Sequence, residues 1–274
     1  MKIEKIKNYN QMLLAVLGTI AIIFALVGLI AFAVMIIDEF RWNRNNEMET
    51  GILSEEKIEE LQKENKREQV ISYELPQLVD TPNAIYIIPV SHITLHEPEG
   101  IQGLLDASYS NSKQDIDSRY ASQFYGVYNN LIVYDQKAET SNKLFEKRVN
   151  FNEIKAEYFS DDILLLFKVA EKDTYRDGVI NLQDYKSLYI YSISEGQLKK
   201  IGNDDMDIFS YAFLGDSKDL IIQFGIDKNK NGRYKSYNEP TIIKRYHYLS
   251  GSLTDIVNPT THTNLQMMLE GSEK

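Results

Sequence analysis

The chain predicts a mainly β protein, with an antiparallel β domain carried behind one N-terminal transmembrane helix and a short helical stalk. Three observations predict it. Met12 to Ile37 run for 26 residues without a charge. Beyond residue 70, short runs rich in Tyr, Ile, Leu and Phe alternate with clusters of Asn, Asp, Gly and Ser, the pattern of strands and turns. Two of these stretches echo each other about 55 residues apart, which points to a repeated supersecondary unit.

Residues 1–11 form a short tail holding Lys2, Lys5 and Lys7. The uncharged run 12–37 would rise roughly 39 Å as a helix, more than the ~30 Å of hydrocarbon it would have to cross. Ala31-Phe32-Ala33 resembles a signal cleavage site, but the apolar stretch is far longer than the core of a cleaved signal and continues to Ile37, so a retained anchor is expected. The three lysines precede the run, whereas Arg41 and Arg44 follow it among Asp38, Glu39, Glu47 and Glu49. That bias places the N-terminus in the cytoplasm and the remaining chain on the extracytoplasmic side, as a single-pass membrane protein. Gly18, Ala21, Ala25 and Gly28 share one helix face and would admit a second helix, a route to self-association.

Residues 38–74 are expected to form a juxtamembrane stalk. Ser54 to Gln69 reads as one charged helix with Ser54 as N-cap, Glu55 and Glu56 in the first turn and Lys66 and Arg67 in the last. Ile58 and Leu61 alone supply an apolar stripe, too little for a coiled coil. The β-repeat domain is placed at 75–260 and a polar C-terminal tail at 261–274. Within the domain the strand candidates are Ala84–Val90, Asn130–Tyr134, Asp162–Val169, Ser187–Ile193, Phe209–Phe213, Asp219–Gly225 and Ile242–Tyr248.

The repeat aligns Asp162–Ile201 with Asp219–Ile256. Each copy opens with an apolar strand (DILLLF, DLIIQF), crosses an Asp/Asn/Gly loop, resumes as a tyrosine-rich strand (SLYIYSI, IKRYHYL) and closes with a hairpin (SEGQLKKI, LSGSLTDI). A fainter echo runs from Asn129 to Lys147. On this pattern the chain resembles the repeats of TolB-type and WD40-like β-propellers over about 130 residues. The resemblance implies a small or incomplete propeller-like array; an open β-sandwich built from the same hairpins is the alternative.

The loops inside the two copies carry the clearest chemistry. Asp227, Asn229, Asn231 and Gly232 reproduce the first half of an EF-hand calcium loop, with side-chain oxygens at positions 1, 3 and 5 and the turn glycine at 6. The carbonyl of Arg233 would add a ligand at position 7, and Glu239 stands one residue after position 12, which is Asn238. The other loop keeps Asp173, Asp177, Gly178, Asn181 and Asp184 but has Tyr175 at position 3. Arg176, Lys228 and Lys230 weaken both loops, so calcium is expected only at low affinity, as suits an extracytoplasmic module. Asp, Asn and Gly are equally the ordinary residues of turns.

Other chemistries are excluded or weak. Forty acidic against thirty basic residues, a net charge of −10, oppose nucleic acid as a partner. With no cysteine there is no disulfide, thiolate nucleophile or Cys-ligated metal. His92 and His96, four apart on an extended segment, stand too far apart to share an ion; His247 and His262 have no partners in the sequence pattern. The eighteen tyrosines read as strand packing. The expectation is therefore a binding module for an envelope protein or glycan, with no catalytic residue assigned. The alternative is an extracytoplasmic hydrolase of glycan or peptide, using Asp161, Asp162, Asp204, Asp205 and Asp207 as acid and base.

Overall fold

The computed structural model describes residues 51–64, 66, 68–95, 122–202 and 205–271, with helical fragments at 17–19, 24–25, 28–29 and 32. Residues 51–274 form one compact unit and 1–50 another. The transmembrane helix expected over 12–37 is corrected. Among the described residues no helix is long and apolar enough to cross a membrane. Gly18, Ala25 and Gly28 are among the helical residues described in that stretch. Ala21, His96 and Asp204 lie outside the described residues.

The unit from residue 51 is mainly β, its described residues forming three larger antiparallel sheets. Sheet I holds β2 (Gln69–Tyr73), β3 (Gln77–Asp80), β4 (Ile85–Thr94), β6 (Asn130–Asp135) and β7 (Thr140–Lys143), ordered β2-β4-β6-β7, with β3 also paired to β4. Sheet II is ordered β12-β11-β9-β8-β5, from β5 (Gln123–Tyr128), β8 (Phe151–Tyr158), β9 (Ile163–Ala170), β11 (Lys186–Ser192) and β12 (Gln197–Ile201). Sheet III runs β13 (Asp207–Phe213), β14 (Leu220–Gly225), β15 (Thr241–His247), β16 (Ser252–Asp255) in sequence order. A short ribbon pairs β1 (Ile52–Leu53) with β10 (Val179–Ile180).

Side-chain alternation decides how the sheets pack. Strand β9 is apolar at nearly every position because both its faces are covered. Leu165, Phe167 and Val169 face sheet I, joining Ile87, Leu131 and Phe151 in one core. Leu164 and Leu166 face sheet III, joining Ile208, Leu220, Ile222 and Phe224 in a second. Strand β14 has only one covered face and so alternates, with Leu220, Ile222 and Phe224 buried and Ile221 and Gln223 partly exposed. Phe145, on the link from β7 to β8, packs its ring against Phe151, Phe167 and Tyr189 at centroid distances of 5.2 to 6.1 Å and locks sheet I onto sheet II.

The repeat seen in the sequence has a structural cause. Asp162 accepts the Ile163 and Ser194 amides and the Ser192 hydroxyl, and Asp219 accepts the Tyr248 amide and Arg245. Each leading aspartate thus ties the start of its apolar strand to the hairpin that closes the unit. In those hairpins Gly196 and Gly251 take the left-handed conformation, φ +64° and +67°, that the tight turn requires.

Residues 51–74 of the segment expected as a stalk are part of this unit. Helix α1 spans Glu55–Lys63, and the Ser54 side chain caps it by accepting the Lys57 amide. It stops at Glu64, so Gln69 begins a strand instead of ending a helix. Ser54 donates its amide to the Gly178 carbonyl, Arg148 donates to Leu53, and Leu61 is buried. Residues 261–270 of the expected polar tail belong to a second helix, α2 (Pro259–Glu270), begun by Asn258 as N-cap and Pro259.

Candidate functional site: the paired loops

The two Asp/Asn/Gly loops leave equivalent strand ends, β9 and β14, and return into β11 and β15. They share one frame. In both, position 4 has a positive φ, Arg176 at +58° and Lys230 at +57°, and so does the glycine at position 6, Gly178 at +92° and Gly232 at +84°. The leading aspartate accepts the position-6 amide in both: Asp173 from Gly178 at 2.9 Å and Asp227 from Gly232 at 2.8 Å. The position-5 side chain accepts the position-7 amide in both, Asp177 from Val179 and Asn231 from Arg233.

The closing carboxylate also plays one role in each copy. Asp184 accepts the amides of Thr174 and Asn181, at positions 2 and 9. Glu239 accepts those of Lys228 and Lys235, again positions 2 and 9. The second loop is one residue longer, and the extra reach of Glu over Asp makes up the difference. The sequence spacing that left Glu239 one residue late is thus accommodated. Asn229 accepts the Asn231 amide, a link the first loop lacks because Tyr175 replaces it.

What the sequence did not reveal is that the loops grip each other. The Thr174 hydroxyl donates to the Gly232 carbonyl at 2.6 Å, and the Tyr185 hydroxyl donates to Asp227 at 2.6 Å. Arg233 lies over the Tyr175 ring, 5.4 Å from its centroid. Gly232 is required twice over. A Cβ there would stand 1.8 Å from the Thr174 carbonyl oxygen, so its absence lets the two backbones meet.

Electrostatics separates the two copies. Burial pushes the Asp184 carboxyl up to about 6, the neighbouring charge of Asp173 adding to it against the three amides that favour the anion. Burial raises Asp177 too, again with Asp173 contributing. At Asp227 burial also opposes the charge, but hydrogen bonds from Tyr185 and the loop amides outweigh it and hold the carboxyl below its usual range. Burial thus disfavours the anion at Asp177 and Asp184 in the first loop, whereas hydrogen bonds favour it at Asp227 in the second.

As a metal centre the donor set is of the right kind but sparse. Every candidate ligand is an oxygen, as calcium prefers, and an sp² oxygen accepting one amide keeps a second lone pair. Asp227 Oδ1, Asn229, Asn231 and both oxygens of Glu239 each accept one hydrogen bond. However, among the described residues no three His, Cys, Asp or Glu side chains converge to hold an ion.

The remaining candidates stand apart. His92 on β4 has a buried ring nitrogen without a partner, His247 pairs with Asp219 at 3.3 Å, and His262 is exposed on α2. Of the hydrolase carboxylates, Asp162 is spent on the hairpin described above. Asp207, 2% exposed, accepts the Lys186 amide and pairs with the Lys186 ammonium at 2.9 Å, and Asp161 pairs with Lys218 at 2.8 Å. No known family model and no curated protein sequence matches the chain.

Proposed function

We propose that the chain is a non-catalytic binding module whose paired loops hold a calcium ion at low affinity and stiffen the joint between sheets II and III. The observation that carries this reading is the common loop frame. Two copies, about 55 residues apart, keep the same positive-φ positions, the same leading aspartate and the same closing carboxylate, and they bond to each other. A turn needs only one or two of these features. In the first loop the charge of Asp173 adds to burial in raising Asp177 and Asp184, a repulsion that a cation would relieve.

The hydrolase reading is the weaker one, because it needs two carboxylates free to exchange protons. Asp162 and Asp207 are both buried and committed to neighbours. Placement outside the cytoplasm belongs to the proposal, resting on an ion site weak enough to fill only at millimolar calcium. The full chain, immobilised in millimolar calcium and offered arrays of peptides and glycans, should retain a ligand whose mass is unchanged on elution. A shortened product, or retention of nothing, would contradict the reading. A reporter fused at Lys274 should be active only outside the cytoplasm, and cytoplasmic activity would overturn the placement.

A further inference from the structure

At the end of sheets II and III opposite the loops, three turns enclose a cleft of about 700 Å³. They are the β8–β9 turn with Phe159 and Asp161, the β13–β14 turn with Asp216 and Lys218, and the β15–β16 turn with Leu249. Phe159 and Phe213 form its apolar floor, their rings edge to face at 5.3 Å. Tyr158 and Leu249 flank it, 54% and 98% exposed. Such large apolar groups left in water around a concavity mark a contact surface.

The charges around the cleft decide what it takes. Both cations are already matched. Lys218 is bonded to Asp161 at 2.8 Å, lies 3.7 Å from Asp162 and sits over the rings of Phe159 and Tyr248, while Arg245 is bonded to Asp219 at 2.8 Å. Asp216 is exposed and makes no ion pair among the described residues, and Asp161 keeps most of its carboxylate in water at 70% side-chain exposure. The unspent charge at the rim is therefore negative, and the acidic excess of the chain adds a field of the same sign. An anion would be repelled. The edge-to-face rings leave a notch that fits a side chain, where a sugar would want a broad ring plane.

From this geometry we infer that the cleft binds a cationic peptide segment, with an aromatic or aliphatic side chain set on Phe159 and Phe213 and a Lys or Arg beside Asp216 and Asp161. The inference rests on the binding-module reading and names its ligand class. It is tested on the full chain by fluorescence anisotropy with three labelled hexapeptides: Gly-Lys-Phe-Lys-Leu-Gly, its Glu-for-Lys counterpart, and a version with Gly in place of Phe and Leu. Chitotetraose serves as competitor. The first peptide should bind at least about tenfold more tightly than either other, since it alone supplies both the charge and the apolar anchor. Raising salt should weaken it several-fold, as expected for exposed charges. Asp216→Asn and Tyr158→Ala, both on exposed side chains, should each weaken it about fivefold or more with the unfolding temperature nearly unchanged. Equal binding of the three peptides, binding of none, indifference to both variants, or displacement by chitotetraose would overturn the inference. The binding-module reading survives any of these results if the arrays still retain an unaltered ligand, so the two failures are distinguishable.

Discussion

Replacing Gly232 by Ala asks how much the grip between the two loops stabilises the fold, because Gly178 provides an internal control. Both glycines hold position 6 with similar φ, +84° and +92°. The left-handed conformation costs a residue with a Cβ about 1–2 kcal/mol at either site. The neighbourhoods differ. Nothing lies within 4 Å of a Cβ at Gly178, whereas at Gly232 it would stand 1.8 Å from the Thr174 carbonyl oxygen, a backbone atom that no rotamer change can move. The loops must part. They lose the Thr174 to Gly232 hydrogen bond, worth about 1 kcal/mol, and strain the charge-assisted one from Tyr185 to Asp227, worth about 1.5–3 kcal/mol. Gly178→Ala should therefore cost about 1–2 kcal/mol and Gly232→Ala about 4–5 kcal/mol. For a unit of this size those losses lower the unfolding temperature by roughly 2–8 °C and 8–20 °C respectively. Differential scanning fluorimetry on the full chain reads the difference. Equal losses in the two variants would refute the claim that the loops bear on each other.

The Asp184 carboxyl gives a pH prediction whose sign is fixed. Its folded pKa lies above the ordinary value of 3.8, at about 6, so the folded state gains stability as pH falls below 6 and loses it as pH rises through that value, by up to about 3 kcal/mol. Urea midpoints at pH 4.5 and 7 should diverge more in the unmodified chain than in Asp184→Asn; the same divergence in both would refute the assignment. Lys186→Met leaves the Asp207 carboxylate buried without its cation and should cost about 3 kcal/mol, much of it recovered in the double variant Lys186→Met, Asp207→Asn. A double variant no more stable than the single one would show that the charge of Asp207 is not the cause. Ser54→Ala removes the cap of α1 and should cost about 1 kcal/mol in the same measurement, whereas no loss would mean the helix start is held by the Gly178 contact alone.

How far the sequence could be read depended on how local each interaction is. Seven strand candidates became β4, β6, β9, β11, β13, β14 and β15, since apolar runs bounded by turn residues are a near-neighbour signal. The equivalence of the two loops was legible for the same reason, down to the shared glycine. Their mutual grip was not. Thr174 and Gly232 are 58 residues apart, and a glycine needed for its positive φ looks the same in sequence as one needed for its missing Cβ. Asp227 read as a ligand in an independent loop, whereas Tyr185 makes it part of the inter-sheet joint. Strand β1 has two residues, too few for any period, and without it the charged helix behind it read as a solvated stalk. The transmembrane reading weighed hydropathy, length and flanking charge, and among the described residues no helix is long and apolar enough to bear it out.

The most direct test is calcium itself, with Asn229 as the probe. Asn229 is exposed and accepts only the Asn231 amide, so Asn229→Ala removes one proposed cation ligand while barely disturbing the ion-free fold. A site with an affinity of ~0.5 mM, held at about tenfold excess of calcium, would gain about 1.4 kcal/mol, or roughly 3–6 °C in the unfolding temperature. The account predicts that rise in the full chain over the same sample in chelator, and its loss in Asn229→Ala. An unfolding temperature indifferent to calcium, or an equal rise in the variant, would contradict it and leave the two loops as a purely structural clasp.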